Sequence, residues 1–115
     1  MYSESDINAK AWLVREIVDL VLQKDGLKVD KIFLIGSYAA GKSNDWSDID
    51  YLVQLDKPMR YPDWYQIQEI HGQMNSERIH IIFGSKEAQE SLKTPFKEIQ
   101  LPGRRDDAVT HSSIA

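Results

Sequence analysis

The chain has 115 residues, a formal net charge of −4 and no cysteine, a length that carries one domain with a real core and excludes two. Absent cysteines exclude disulfides and a thiolate metal site and suit a reducing cytoplasm, the expected location. The scattered Lys and Arg, with no run longer than Arg104-Arg105, do not make the footprint of a dedicated nucleic-acid binder. The opening MYSESDINAK lacks the basic and apolar regions of a signal peptide, and no run approaches the ~18 apolar residues of a membrane span.

In chain order, a first helix is expected over 6–24, capped by Ser5 or Asp6 and stopped by Gly26. Ile7, Ala11, Val14, Val18 and Val21 recur at helical spacing, and Trp12, Ile17 and Leu22 widen the stripe, with Trp12 read as core. The nearly all-apolar run 31–35 reads as a strand buried on both faces, followed by a short helical turn over 37–41 with Trp46 packed beneath it. A second strand over 47–55 ends at Lys57-Pro58. A second helix over 62–75 starts with Pro62 and turns Trp64, Ile67, Ile70 or His71, and Met74 inward, His71 being a surface or boundary residue. A third strand over 77–83 alternates Arg78, His80 and Ile82 with Ile79, Ile81 and Phe83. Gly84-Ser85 caps a helix over 86–93, Thr94-Pro95 restarts a helical turn to Gln100, and 102–115 is a polar tail, an arm onto a partner, beyond a single domain over 1–101.

The chemistry concentrates in KIFLIGSYAAGKSNDWSDIDYLVQL, over 31–55. Asp48 and Asp50 are spaced i, i+2, so on a strand they share a face while Ile49 points into the sheet. Two carboxylates aimed at one spot repel unless a cation or a shared proton lies between them. Magnesium, which takes oxygen ligands, binds through one or two carboxylates plus substrate phosphates. Upstream, Gly36 allows close backbone approach to a phosphate, and Ser37 offers a hydroxyl and an N–H.

The same residues, from Gly36 to Gly41-Lys42-Ser43, match the P-loop pattern letter for letter. That pattern needs a long helix after the lysine. Here Asn44, Asp45 and Ser47 favour turns and caps, and a strand resumes at Ile49.

Ile35-Gly36-Ser37, a spacer, then Asp48-Ile49-Asp50-Tyr51 resembles the signature of the polymerase-β-like nucleotidyltransferases, and the minimal nucleotidyltransferases in particular. The resemblance covers 31–83. It implies an α/β (α+β) fold, a small mixed sheet of three to four strands packed against helices. It further implies magnesium or manganese on Asp48 and Asp50, and ATP or another nucleoside triphosphate held by Gly36 and Ser37. Lys42 and Ser47 are secondary nucleotide-binding candidates; a solvated lysine is the ordinary state of Lys42.

Two departures stand out. The family's third carboxylate falls on a neighbouring strand, where this chain has His80. An imidazole serves as a general base near neutral pH but is a poor magnesium ligand. His80 is a base or outer ligand, Glu77 supplies the third oxygen in a shifted register, or catalysis is weak or lost. Larger members also carry a helical acceptor-binding domain, for which little chain remains. The family's minimal members pair with HEPN-type helical proteins in toxin–antitoxin modules, so a partner protein is implied and a homo-oligomer stays open. The expected function is transfer of a nucleoside monophosphate, AMP from ATP, to a hydroxyl of a partner macromolecule; the alternative is a nucleotidyltransferase-fold module that regulates a partner by contact.

Overall fold

Ser3 sets where the first helix begins. Its hydroxyl accepts from the Asp6 amide, while the Asp6 carboxylate accepts from the Ser3 amide. These bonds to Ser3 hold the Asp6 carboxyl below the ordinary carboxylate range. Helix α1 therefore spans Glu4–Leu22, with the expected cap Ser5 inside it. A 3-10 turn, Gln23–Asp25, then leads to left-handed Gly26.

The structure is a computed structural model that describes residues 1–59 and 63–103. Pro62 as a helix start, the side chain of Trp64 and the tail beyond Gly103 lie outside those residues. Strand β1 (Val29–Ile35) runs into a one-turn helix α2 (Gly36–Ala40), and strand β2 (Ile49–Leu55) returns antiparallel beside β1. Helix α3 (Asp63–Asn75) crosses back so that strand β3 (Ile79–Gly84) lies parallel to β2, as a helical crossover permits. Helix α4 (Lys86–Glu90), capped by the Ser85 hydroxyl, is shorter than expected. A two-residue strand β4 (Lys97–Glu98) then pairs antiparallel with β1, so the sheet order is β3-β2-β1-β4.

Strand β4 replaces the helical turn expected up to Gln100. Lys97 sits opposite Leu34 and Glu98 opposite Phe33, while the Ile99 amide bonds Ile32 O at 2.9 Å. Ile99 is buried, which secures the strand against the free edge of β1.

Alternation along the strands sorts the sheet into two faces. Ile32 and Leu34 of β1, Ile49, Tyr51 and Val53 of β2, and Ile79 and Ile81 of β3 join Ile7, Val14, Val18, Ile70 and Met74 of the helices in one core. Tyr51 is fully buried, and its hydroxyl donates to Ile7 O, tying β2 to α1. The other face carries Asp50 and His80 near one end. Phe33 is buried there too, as a two-faced strand requires, but by the edge-on ring of Phe96 rather than by a helix.

Two tryptophans depart from the expected packing. Trp12 is 42 % exposed, because it lies off the 7-11-14-18 stripe; its indole Nε1 donates to Gln100 O at 3.1 Å. Trp46 does not pack beneath the turn: it is 87 % exposed, in the α2–β2 loop. His71 is the expected boundary residue, half-buried with Nε2 at 3.1 Å from Ile81 O. No helix among the described residues is long and apolar enough to cross a membrane.

Candidate active site

Strand β1 ends where Gly36 takes φ +71, a left-handed conformation that turns the chain into α2. The carboxylate of Asp50 lies against this turn. A Cβ built on Gly36 would overlap Asp50 Oδ2 and fall 3.0 Å from Asp50 Cγ. The register explains the approach, since Ile35 is paired with Asp50 across β1 and β2. Glycine turn and second aspartate are therefore one site.

Helix α2 closes with the amides of Gly41 and Lys42 both bonded to Ser37 O. Gly41, also left-handed at φ 71, ends the helix, so Lys42 and Ser43 lie outside it. In a P-loop those residues would open a long helix; the P-loop alternative fails on this geometry. Lys42 is exposed. The loop that follows is folded on itself: the Ser47 hydroxyl accepts from the Asn44 amide at 2.9 Å, and Asn44 Oδ1 accepts from the Trp46 amide. Ser47 thus shapes the loop leading into the aspartates.

Asp48 stands just before β2 and Asp50 inside it, on either side of the fully buried Ile49. Each faces a basic residue of the neighbouring strand or its approach. Asp50 is in register with His80, whose Nδ1 is 3.2 Å from Asp50 Oδ1. Two residues upstream, Arg78 Nε donates to Asp48 Oδ1 at 3.3 Å and Arg78 Nη1 donates to Asp45 O at 3.1 Å. Arg78 reaches there from a left-handed backbone, φ 58, unusual for a residue with a Cβ. The sequence pattern gives Arg78 no role beyond a place on a strand face. Arg78 precedes β3 and adopts a turn conformation, so strand alternation with His80 does not account for where its side chain goes.

Glu77 lies elsewhere. Its carboxylate pairs with Lys10 of α1 at 3.1 Å, on the helix side. Among the described residues no three His, Asp or Glu side chains converge as a metal cluster. The donor set is therefore two carboxylates, one of them pressed onto a glycine that leaves the space above it free of side chain. That set fits a magnesium ion completed by phosphate oxygens and water. Asp48 and Asp50 are the residues that would hold it.

A four-stranded mixed sheet packed against helices, with a carboxylate pair beside a glycine turn, is the arrangement of the nucleotidyltransferase class. The chain belongs to the nucleotidyltransferase domain family, which its residues 14–114 match. It is similar to a predicted protein adenylyltransferase of Methanocaldococcus jannaschii, 43 % identical over 47 residues, 41 % of this chain and 46 % of that protein, so the match spans about half of that relative's length. In structure it is similar to a predicted nucleotidyltransferase from Sulfolobus solfataricus, at 19 % identity and a TM-score of 0.51 over 92 % of this chain and 91 % of that one. The MNT antitoxin complex with a tri-AMPylated HEPN toxin of Shewanella oneidensis shows a looser likeness, 17 % identity and a TM-score of 0.41 over 89 % of this chain and 82 % of that one.

Proposed function

We propose that the protein transfers a nucleoside monophosphate, AMP from ATP, to a hydroxyl of a partner protein, with magnesium or manganese at Asp48 and Asp50. The observation that carries the proposal is the packing of Asp50 on Gly36, which makes the phosphate turn and the carboxylate pair one site. The name of the Methanocaldococcus jannaschii relative, a predicted protein adenylyltransferase, supports adenylyl as the group moved and protein as the acceptor. A helical HEPN-type toxin as that acceptor follows from the resemblance to minimal nucleotidyltransferases.

The Gly36 backbone and the Ser37 hydroxyl bind the outer phosphates, and exposed Lys42 adds a positive charge at the mouth of the turn. When bound, the metal polarises the phosphoryl oxygen and offsets the charge that develops there. The acceptor oxygen bonds to the α-phosphorus, the bond from that phosphorus to the bridging oxygen breaks, and pyrophosphate leaves. His80 takes the acceptor's proton: with Nδ1–H donated to Asp50 Oδ1 at 3.2 Å, Nε2 keeps a free lone pair. The imidazole is 62 % exposed, open to a hydroxyl from another chain.

The test is incubation of the protein and its Asp50→Ala variant with α-phosphate-labelled ATP, magnesium and host lysate. Label on a macromolecule with the intact protein alone is the expected result. Equal labelling by both sinks the assignment. A second function, partner regulation by contact without transfer, is favoured by one observation: the residue in register with Asp50 on β3 is a histidine, His80, and not a carboxylate. That reading predicts no rise in melting temperature with millimolar ATP and magnesium, since a ligand must bind the native state to stabilise it.

A further inference from the structure

We propose that Arg78 is a phosphate-binding residue that also guards Asp48: in the free protein its guanidinium holds the carboxylate, and it passes to the triphosphate when Asp48 takes up the divalent cation. The inference rests on the nucleotidyl-transfer function above and adds a residue that the family signature does not contain.

Three observations carry it. Arg78 Nε donates to Oδ1 of Asp48, one of the two oxygens a cation could take, so guanidinium and metal compete for the charge of one carboxylate. The pair is exposed, with 39 % of the arginine and 59 % of the aspartate side chain open to solvent, so it is weak enough to exchange. Finally, a cation held by Asp48 would keep its phosphate ligands beside that carboxylate. Arg78 Nε, 3.3 Å from Asp48 Oδ1, lies beside the same carboxylate. A planar fork of donors suits phosphate oxygens at least as well as a carboxylate. The second anchor, Nη1 on Asp45 O, keeps the guanidinium beside the site as it changes partner. The left-handed backbone at φ 58 is what aims the side chain across to the loop.

The test measures Mn²⁺ binding to the full chain by electron paramagnetic resonance, then ATP binding in the presence of Mn²⁺. Arg78→Gln is expected to bind Mn²⁺ alone about two- to fivefold more tightly, the size of an exposed ion pair. It is expected to bind ATP about tenfold more weakly, the loss of a charge-assisted hydrogen bond. Arg78→Lys, which keeps the charge but not the fork, falls between. Arg78→Asn, a residue that tolerates the left-handed region, repeats the opposite shifts. A residue that only braced the loop would weaken both ligands together, and that result, or unchanged Mn²⁺ affinity in Arg78→Gln, overturns the proposal. Asp48→Asn separates the two levels of inference. If it loses Mn²⁺ while Arg78→Gln changes neither ligand, the role of Arg78 alone fails. If it keeps wild-type affinity for both ligands, the metal assignment fails and the proposal with it.

Discussion

Gly36 and Asp50 are in such close contact that no side chain fits between them: the Cβ of any other residue at 36 would overlap Asp50 Oδ2. Gly36→Ala therefore meets two penalties. The left-handed backbone at φ +71 costs about 1–2 kcal/mol for a residue with a Cβ, and Asp50 must also move. Gly41 has the same φ +71 with nothing within 4 Å of a built Cβ, so Gly41→Ala bears the backbone cost alone. Denaturant midpoints should fall in both variants. ATP-dependent labelling should fall only in Gly36→Ala, by about a hundredfold, as misplacing a reacting group by an ångström does. Equal labelling in the two variants would show that the position of Asp50 is not what the glycine protects.

Tyr51 links stability to alkaline pH. Its ring is fully buried and its hydroxyl donates to Ile7 O. Burial raises the phenol well above its ordinary pKa of 10.0. In the unfolded chain the phenol ionises near that ordinary value. The group thus favours folding below about pH 10, and its contribution is lost as pH rises beyond it. Tyr51→Phe should cost about 1 kcal/mol at neutral pH for the lost hydrogen bond. Above about pH 10 the variant should lose stability less steeply than the parent, because the residue that resists ionisation is gone. Urea unfolding at the two pH values checks both.

The large elements and the carboxylate pair were legible because they repeat or alternate. Val14 and Val18 recur at helical spacing, and Asp48 and Asp50 stand two apart on either side of Ile49. Strand β4 was not legible, since Lys97-Glu98 shows no alternation and acquires its state only from β1. The start of α1 was written in Ser3 and Asp6, a capping box with aspartate where glutamate is usual, and went unread. Trp12 was misjudged because its partner, Gln100 O, is far away in sequence. Arg78 escaped notice for a physical reason: its role depends on a left-handed turn that the local sequence, Ser76-Glu77-Arg78, does not announce.

Strand β4 is held by one buried side chain. Ile99 is 4 % exposed in the main core, and its amide bonds Ile32 O. Ile99→Ala should cost about 2–4 kcal/mol, the usual loss for an isoleucine truncated in a core. Lys97→Ala, whose ion pair with Glu4 at 3.1 Å is exposed at both ends, should change stability by less than about 0.5 kcal/mol. If both variants unfold at the same denaturant concentration, β4 is not secured through Ile99.

His80 and Glu77, the two residues weighed against the family's third carboxylate, have different surroundings. His80 is in register with Asp50, with Nδ1 on its carboxylate. Glu77 is engaged by Lys10, whose Nζ also lies 5.0 Å from the Tyr2 ring centroid, so that side chain is committed to α1. Replacing the imidazole by a carboxylate, His80→Asp, puts a third acidic group beside Asp50 and near Asp48. Mn²⁺ affinity should rise about tenfold, the effect of one added oxygen ligand or outer-shell carboxylate. Without the ion, three like charges should lower the melting temperature, a loss that millimolar Mn²⁺ restores. Glu77→Gln should leave Mn²⁺ affinity unchanged and cost less than about 1 kcal/mol for the ion pair. Loss of Mn²⁺ binding in Glu77→Gln would mean that Glu77 leaves Lys10 to reach the metal, and the register of β3 against β2 would then have to shift.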